Sequence, residues 1–301
     1  MAEEIVIAEA LNGQVRIHAA DTTELIRTAR EKHDLWPTSC AALGRVLTVD
    51  ALMASDLKNA DEHVTVTING HGPAGTIVAQ GSGRGGVRGF IGNPRLNMTN
   101  PETHKLDVGR AVGRDGTLTV TRDMGLKEPF TGVVQLQSGE IGEDFAVYFA
   151  YSEQTPSVVA VGVYVNPDAT VEVAGGMIIQ LMPDAVEDTI RYVELVSQTM
   201  RPMTDYLRAG RTPEQIIMEL FPDAAVLEHK DTYWYCDCSR DHFLRALSLV
   251  DPHDIQEMID EDHGAEVVCQ YCGKKYRFSE EDLKSALEKR NNVEDRQRID
   301  S

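Results

Sequence analysis

The sequence has few cysteines, an excess of acids over bases, and no long apolar segment. Five cysteines in 301 residues are few and odd in number, which argues against a disulfide scaffold. Lys and Arg total 29 against 48 Asp and Glu, so the formal net charge is −19. Such a chain repels phosphate backbones, and we expect no nucleic-acid partner. No apolar run approaches the roughly 18 residues that a membrane helix needs, and we expect no membrane partner.

The first residues also lack the features of a secretory signal. The segment MAEEIVIAEALNG carries acids where a signal peptide carries bases, and it contains no long apolar core. We therefore expect a cytoplasmic protein. In a reducing compartment, clustered cysteines indicate metal binding or redox chemistry rather than permanent disulfides.

Motifs of catalysis are missing as well. The sequence contains no GxSxG, HExxH or P-loop motif. Gly81, Gly83 and Gly86 match GxGxxG, but a dinucleotide site requires a helix directly behind the glycines, and the following VRGFIG is typical of a strand. We interpret these glycines as support for β turns and close strand packing. We expect no enzyme activity and no catalytic residue.

What is present first is a region of mixed strands and helices. Alternating apolar residues on both sides of Asn12-Gly13 predict a β-hairpin with a type I′ turn. Further strand-like segments and three helix-like segments extend to about residue 180, without the regular alternation of a doubly wound parallel sheet. The predicted fold class is α+β, with an N-terminal mixed α/β core domain over residues 1–180.

The next region changes to helical periodicity. Apolar residues recur at spacings of three and four between residues 184 and 207, and Pro202 predicts a break in that helix. Thr212-Pro213 is a typical helix start. We predict a helical linker over residues 181–234. Its methionines are typical of core filling, and they also suit surfaces that adapt to varied partners.

Four of the five cysteines form the strongest motif. Cys236 and Cys238 make a CxC pair, and Cys269 and Cys272 make a CxxC pair. Two close pairs can converge into a tetrahedral site of four thiolates, which zinc favours. Gly273 permits the tight turn that such a site needs. We predict that all four bind zinc in a small C-terminal zinc-binding domain over residues 235–301.

The spacing leaves open whether zinc is structural or part of a switch. A structural ion would stabilise a module too small to fold alone. The CxC pair favours a switch instead. A disulfide between residues i and i+2, such as Cys236 and Cys238, forms only with distortion, and strained disulfides are easily reduced again. Oxidation to two local disulfides would remove all four ligands, and with them the folding free energy that the metal supplies. Cys40 lies at helical spacing from Leu43 and is expected to be a buried bystander.

These segments together resemble one protein family. The cysteine segments read CDCSRDHFLRAL and EVVCQYCGKKYRFSEEDL. Matching upstream segments are AALGRVL at 41–47, GGVRGFIGNP at 85–94, LQSGEIGEDFAVYFAYSEQTPSVVAVGV at 136–163, and AGGMIIQLMP at 174–183. In this order and at this length, the chain resembles the heat-shock protein 33 family of redox-regulated, zinc-thiolate holdase chaperones.

The resemblance implies a function as well as a fold. It implies a substrate-binding core, a linker, and a redox switch that holds one Zn²⁺ per chain in the reduced, inactive state. Oxidation would form the disulfides Cys236–Cys238 and Cys269–Cys272, release zinc and unfold the linker. The protein would then bind unfolded or aggregation-prone client proteins without ATP, as a homodimer. Met200, Met203 and Met218 are candidate client contacts on the linker.

Two other functions remain as alternatives from the residues alone. A zinc-ribbon nucleic-acid-binding protein would need a basic module, yet residues 236–301 contain sixteen acids and ten bases. A thiol oxidoreductase would need one exposed cysteine of low pKa without a tightly held metal.

Overall fold

The computed structural model describes residues 3–287. Its contacts divide the chain into two compact units, with the boundary between Tyr235 and Cys236. In the first unit the strands are β1 Glu3–Ala10, β2 Val15–Asp21, β3 His63–Asn69, β4 Ile77–Ser82, β5 Gly86–Ile91, β6 Thr117–Asp123, β7 Phe130–Gln135, β8 Ser157–Val165, β9 Val171–Leu181 and β10 Ala225–Trp234. The helices are α1 Thr23–His33, α2 Pro37–Ala54, α3 Val108–Val112, α4 Gly142–Tyr151, α5 Glu187–Thr199, α6 Met203–Arg208 and α7 Pro213–Leu220.

These strands form one sheet in the order β7-β6-β3-β4-β5-β10-β1-β2-β9-β8. Neighbouring strands are antiparallel except β5 and β10, which pair in parallel at Gly86 with Tyr233 and at Val87 with Trp234. The predicted α+β class is confirmed. Within residues 3–287, no helix combines the length and apolar content needed to cross a membrane.

The first hairpin shows how local sequence sets strand register. Asn12 and Gly13 have φ values of 58° and 77°, the positive sign that both central residues of a type I′ turn require. The Gln14 N–H closes the turn by donating to the Leu11 carbonyl at 3.3 Å. The predicted hairpin is confirmed, and its register places Ile5 opposite Ala20.

Helix α2 is the centre of the main core. Nearly every one of its residues is buried, and it packs against β4, β5, β8 and β9, from both halves of the sheet. This burial explains its composition, since small and aliphatic residues on all sides allow close approach to the strands. The side chains of Ile5 and Ile7 in β1 belong to the same core.

Helices α5, α6 and α7 pack on the opposite face of β1, β2 and β9. Val6 and Ala8 alternate with Ile5 and Ile7 along β1 and join this second core. Helix residues that fill it are Val193, Val196, Met203, Tyr206, Leu207, Ile216, Ile217 and Phe221. The predicted break at Pro202 is confirmed, because α5 ends at Thr199 and α6 begins at Met203.

The predicted helical linker over 181–234 needs a correction at its end. Residues 225–234 form strand β10, which pairs with β1 along most of its length and with β5 at its last two residues. Only the preceding part is helical. The physical reason is long-range pairing, because β10 fills the gap between the two halves of the sheet.

The second unit is built around a hairpin. Its elements are α8 Arg240–Leu247, α9 Pro252–Asp260, β11 Gly264–Val268, β12 Lys275–Ser279 and a last helix, α10, over 280–287. The Ser279 hydroxyl accepts from the Asp282 N–H, and the Asp282 carboxylate accepts from the Ser279 N–H at 2.8 Å. This reciprocal cap satisfies backbone donors at the start of α10.

Candidate metal centre

The four clustered cysteines come together in the second unit. Cys236 and Cys238 lie between β10 and α8, and Cys269 and Cys272 lie between β11 and β12. All four Sγ atoms lie within 4.8 Å of one another. Two close separations join the two pairs: 3.7 Å between Cys236 and Cys269 and 3.4 Å between Cys238 and Cys272. The convergence expected from the spacing is thus present in the structure.

The turn at Cys269 explains half of this geometry. The Cys269 N–H donates to the Lys274 carbonyl at 2.9 Å, and the Gly273 N–H donates to the Cys269 carbonyl at 2.8 Å. Gly273 has φ 71°, in the left-handed region that glycine adopts without a steric penalty. The turn directs both thiols of the CxxC pair to the same side of the hairpin.

Tyr276 supports the other cysteine pair and was not identified from the sequence. Its hydroxyl donates to the Cys238 carbonyl at 2.8 Å and lies 3.2 Å from Cys238 Sγ. Its ring packs against Phe243, with 5.1 Å between ring centroids. A signal was available, since Tyr276 and Phe278 alternate with charged residues along β12 and share its buried face.

The thiols differ in their electrostatic environment. Burial raises the pKa of Cys269 to about 12 and also raises the pKa of Cys236. For Cys238, burial acts in the same direction, but hydrogen bonds from Tyr276 and the neighbouring thiols lower its pKa overall. A bound metal ion favours the thiolate of every ligand and opposes the effect of burial.

Three basic residues, Lys274, Lys275 and Arg277, follow the CxxC pair, and two of them pair with a glutamate. Lys275 and Arg277 both bind the carboxylate of Glu266, at 2.9 and 3.0 Å. Lys274 Nζ lies 5.2 Å from the centroid of the Tyr276 ring. Lys275 and Arg277 therefore have Glu266 as their ion-pair partner rather than the thiols.

The donor set fits zinc. A Zn–S bond of about 2.3 Å in a tetrahedron places neighbouring sulfurs about 3.8 Å apart, close to the 3.7 and 3.4 Å measured between the pairs. Four thiols without a carboxylate favour a soft or borderline ion over magnesium or calcium. Neither short separation joins a predicted disulfide pair, so Cys236–Cys238 and Cys269–Cys272 stay a prediction.

The remaining candidates from the sequence have ordinary structural places. Cys40 is fully buried in α2, where desolvation raises its pKa to about 12, as expected for a bystander. Of the GxGxxG glycines, Gly81 lies in β4, Gly83 lies in the turn and Gly86 begins β5. A strand rather than a helix follows the turn, which agrees with the interpretation as turn and close strand packing. Met203, the first residue of α6, is buried, whereas Met200 and Met218 are half-buried.

One further group of possible metal ligands lies on α9. His253, Asp254 and Glu257 bring their ligand atoms within 4.8 Å of one another, and all three are exposed. Exposed groups of this kind are common without a metal, so they do not define a second centre.

Comparison with known proteins shows relatives of similar length. The model of the Hsp33 protein family matches residues 3–279. The chain belongs to the Hsp33 family. A 33 kDa chaperonin of Latilactobacillus sakei is 47% identical over 278 residues, which are 92% of this chain and 95% of that protein. One of Staphylococcus carnosus is 46% identical over 95% of this chain and 98% of its own.

A solved Hsp33 structure agrees with the fold. The crystal structure of the 33 kDa chaperonin of Thermotoga maritima superposes with a TM-score of 0.88 at 33% identity, over 97% of this chain and 100% of that one. Hsp33 membership supports a chaperone role for the chain.

Proposed function

We propose that this Hsp33 chain is a redox-regulated, ATP-independent holdase with the four-cysteine centre as its sensor. The observation that carries the proposal is the convergence of all four Sγ atoms within 4.8 Å in a module with its own small core. In this proposal, residues 1–180 are the substrate-binding core, 181–234 the linker and 235–301 the switch.

In the reduced state, Cys236, Cys238, Cys269 and Cys272 would hold one Zn²⁺ per chain. The metal supplies four bonds that hold the two cysteine segments together when it is bound. The module's core is small, with Leu247, Ile255, Ile259 and Phe278 among its few buried apolar side chains. Metal binding is therefore a large part of its folding free energy.

Oxidation would remove the ligands pairwise. With hydrogen peroxide, two thiols lose two electrons and two protons to form one disulfide, and one peroxide is reduced to two waters. The expected products are Cys236–Cys238 and Cys269–Cys272. The short separations across the pairs make Cys236–Cys269 and Cys238–Cys272 the alternative products. Either outcome leaves no thiolate for the metal.

The linker helices would connect this change to client binding. Helices α5, α6 and α7 cover an apolar face of β1, β2 and β9, so their release would expose that face to clients. Strand β10 separates them from Cys236 in the sequence, so a change carried along the chain reaches β10 before the helices. Because β10 holds the two halves of the sheet together, we propose that the helices detach while most of the sheet is retained.

The proposal includes further expectations. A holdase binds its client stoichiometrically, so we expect no catalysed turnover. We expect a homodimer in the oxidised state, and a cytoplasmic location in which the thiols are normally reduced. The formal charge of −19 would keep the protein soluble while apolar surface is exposed.

The test is a comparison of the full chain before and after peroxide at raised temperature. Bound zinc, helical content and suppression of client aggregation are measured together. We expect loss of zinc, loss of helix and a gain in suppression, with a Cys40→Ser variant behaving like the wild type. Retained zinc, or unchanged suppression after zinc has left, would reject the switch. Peptide mapping distinguishes the two disulfide pairings.

A further inference from the structure

Strand β7 forms one edge of the large sheet and pairs only with β6. Beyond its end, the Leu136 N–H donates to the Gly116 carbonyl at 2.9 Å, so these two residues form a directly bonded pair. In an antiparallel ladder, every second residue of a strand bonds to the same neighbour. The unbroken register with β6 therefore directs the N–H and C=O groups of Thr131, Val133 and Gln135 away from the sheet.

These outward groups are open to a further strand. The Gln135 carbonyl accepts from the side-chain amide of Gln137 at 3.1 Å. Within residues 3–287, no hydrogen bond occupies the outward N–H groups of Thr131 and Val133. Backbone N–H and C=O groups are strong hydrogen-bonding groups, and an extended chain laid beside β7 would present the complementary set.

Exposed apolar side chains gather around the same edge. Phe130 and Val133 are 54% and 55% exposed and lie on opposite faces of the strand. Leu126 and Met124 are exposed in the connection before β7, and Tyr151 is exposed at the end of α4, which packs on β7. The strand itself has no charged residue. The edge is thus neutral and apolar on a chain whose formal charge is −19.

The two edges of the sheet differ in how they are protected. Charged side chains, prolines and bulges commonly keep an edge strand from pairing with other chains. The sequence of β7, FTGVVQ, has neither charge nor proline, and its pairing has no register shift. In β8, the other edge, no residue is exposed, and the register shifts between Tyr164 and Val165. Strand β7 is therefore the edge that remains open to an extended chain.

The charge of the protein indicates which extended chain this is. A second copy would bring another −19 charges and would be repelled. Aggregation-prone segments of unfolded proteins have low charge and high β-propensity, which matches the neutral edge. Pairing through the backbone requires no particular sequence, so one edge suits many partners. The chaperone role that Hsp33 membership supports requires partners of this kind.

We propose that β7 captures extended, uncharged segments of unfolding client proteins by adding them to the sheet as a further strand. The outward groups of Thr131, Val133 and Gln135 would bond to the client backbone, and Phe130 and Val133 would contact its side chains. This inference deepens the proposed holdase function, because it names the conformation of the client and a second surface for it. Three residues form only a few hydrogen bonds, so β7 alone binds weakly, and firm binding also needs the face that α5, α6 and α7 cover.

The test is an NMR titration of the reduced, full-length, zinc-loaded protein. The probe is the capped, uncharged heptapeptide Ser-Thr-Val-Thr-Val-Thr-Ser. The control peptide has the same sequence with N-methyl groups on two successive central residues, which blocks both of its edges. We expect the probe to slow amide exchange of Thr131, Val133 and Gln135 at least fivefold. The amides of Gly132 and Val134, which bond to β6, should change little, and the control peptide should protect none of them.

Variants locate the site on β7. Val133→Pro removes one outward donor, and proline is tolerated where the N–H of an edge strand faces solvent. It should weaken peptide binding at least fivefold, whereas Val133→Thr keeps the backbone N–H and should retain binding. The matched control is Ser157→Pro on β8. The Leu181 N–H donates to the Pro156 carbonyl at 3.0 Å, so the N–H of the next residue, Ser157, also points outward. Circular dichroism confirms that each variant is folded.

The outcomes separate strand addition from other kinds of association. Protection that is lost in Val133→Pro and kept in Ser157→Pro supports the proposal. Equal binding of the two peptides, or unchanged binding by Val133→Pro, would overturn it. A dimer of the peptide-free protein that dissociates in Val133→Pro, without any peptide binding, would assign the edge to a second copy and also overturn it. Every measurement uses the reduced protein, so a failure here is distinct from a failure of the oxidation switch.

Discussion

The hydroxyl of Tyr276 donates to the backbone carbonyl of Cys238 at 2.8 Å, across 38 positions of sequence. The same oxygen lies 3.2 Å from Cys238 Sγ. Since the Tyr276 ring also packs in the small core of the second unit, one residue joins the geometry of a candidate ligand to the packing that supports it. Such supporting contacts orient metal ligands and affect how tightly the metal is held.

Tyr276→Phe tests this link by removing the hydroxyl while keeping the ring. We expect the second unit to lose about 1 kcal/mol of stability, the usual net value of one hydrogen bond. Zinc should leave several-fold faster during peroxide treatment, as a chromogenic chelator would report. Tyr235→Phe removes an exposed hydroxyl from the first unit and serves as the control. Identical release from the two variants would contradict a role for the Tyr276 hydroxyl.

Removal of the metal under reducing conditions should unfold the second unit and leave the large core around α2 folded. With a strong zinc chelator and a thiol reductant, we expect amide protection to disappear from β11 and β12. Protection in β3 and β6 should persist, because those strands belong to the large core around α2. Hydrogen exchange measured by mass spectrometry reports both regions in one experiment. Retained protection in the β11–β12 hairpin would show that the module folds without metal.

Local patterns predict much of this molecule. Alternation and turn residues locate the β1–β2 hairpin, and the break between α5 and α6 follows from Pro202. The cysteine spacing alone predicts the convergence of the four thiols. In each case the decisive contacts lie close in sequence, or a single chemical requirement brings distant residues together.

Strand β10 shows where local patterns fail. Its sequence AVLEHKDTYW mixes charged and polar residues, and most of its side chains are exposed. Its strand conformation comes from pairing with β1 and β5, which are far away in the sequence. Tyr276 was missed for a similar reason, since its contact with Cys238 depends on how the two cysteine segments meet.

Ile217→Asp should activate the chaperone without oxidation. Ile217 is fully buried between α7 and the sheet, and an aspartate there would cost at least about 3 kcal/mol in lost packing and buried charge. We expect α7 to detach and the reduced protein to suppress client aggregation. Met218→Asp places the same charge at a half-buried position of the same helix. It should have little effect on client binding by the reduced protein.

Comparison of these two variants distinguishes exposure of the sheet face from a change in helix charge. If Ile217→Asp detaches α7, as hydrogen exchange would show, yet does not bind clients, the covered face of β1, β2 and β9 is not the client surface. If Met218→Asp, but not Ile217→Asp, impairs client binding by the oxidised protein, the face of α7 that carries Met218 is the better candidate for the client surface.

Asp50 should make the stability of the first unit depend on pH. It is fully buried in α2, and neither carboxylate oxygen has a hydrogen-bond partner among the described residues. Burial raises its pKa well above the usual range, and the nearby Arg122 guanidinium, which binds Glu153, opposes this only in part. The native state therefore holds the Asp50 proton more tightly than the unfolded chain does.

The sign of the effect follows from this difference. Stabilisation by protonated Asp50 is complete below the pKa of the unfolded chain, near 4, and is lost as pH rises through the native pKa, by about 1.4 kcal/mol per pH unit. In the Asp50→Asn variant the side chain is neutral at every pH, so this loss of stability with rising pH is absent. Urea unfolding at pH 5.5 and pH 8 should show the variant gaining relative to the wild type at the higher pH.

Other groups titrate in the same range, and the comparison accounts for them. Glu3, with a pKa of about 7, and His18, with a pKa of about 4, occur in both proteins, so their effects cancel in the difference. Asp61→Asn is the control, because Asp61 is exposed and pairs with Arg84 at the surface. If Asp50→Asn and Asp61→Asn show the same pH dependence, the Asp50 carboxyl must reach a partner or water in solution. The same outcome would then exclude Asp50 as the source of pH-dependent stability.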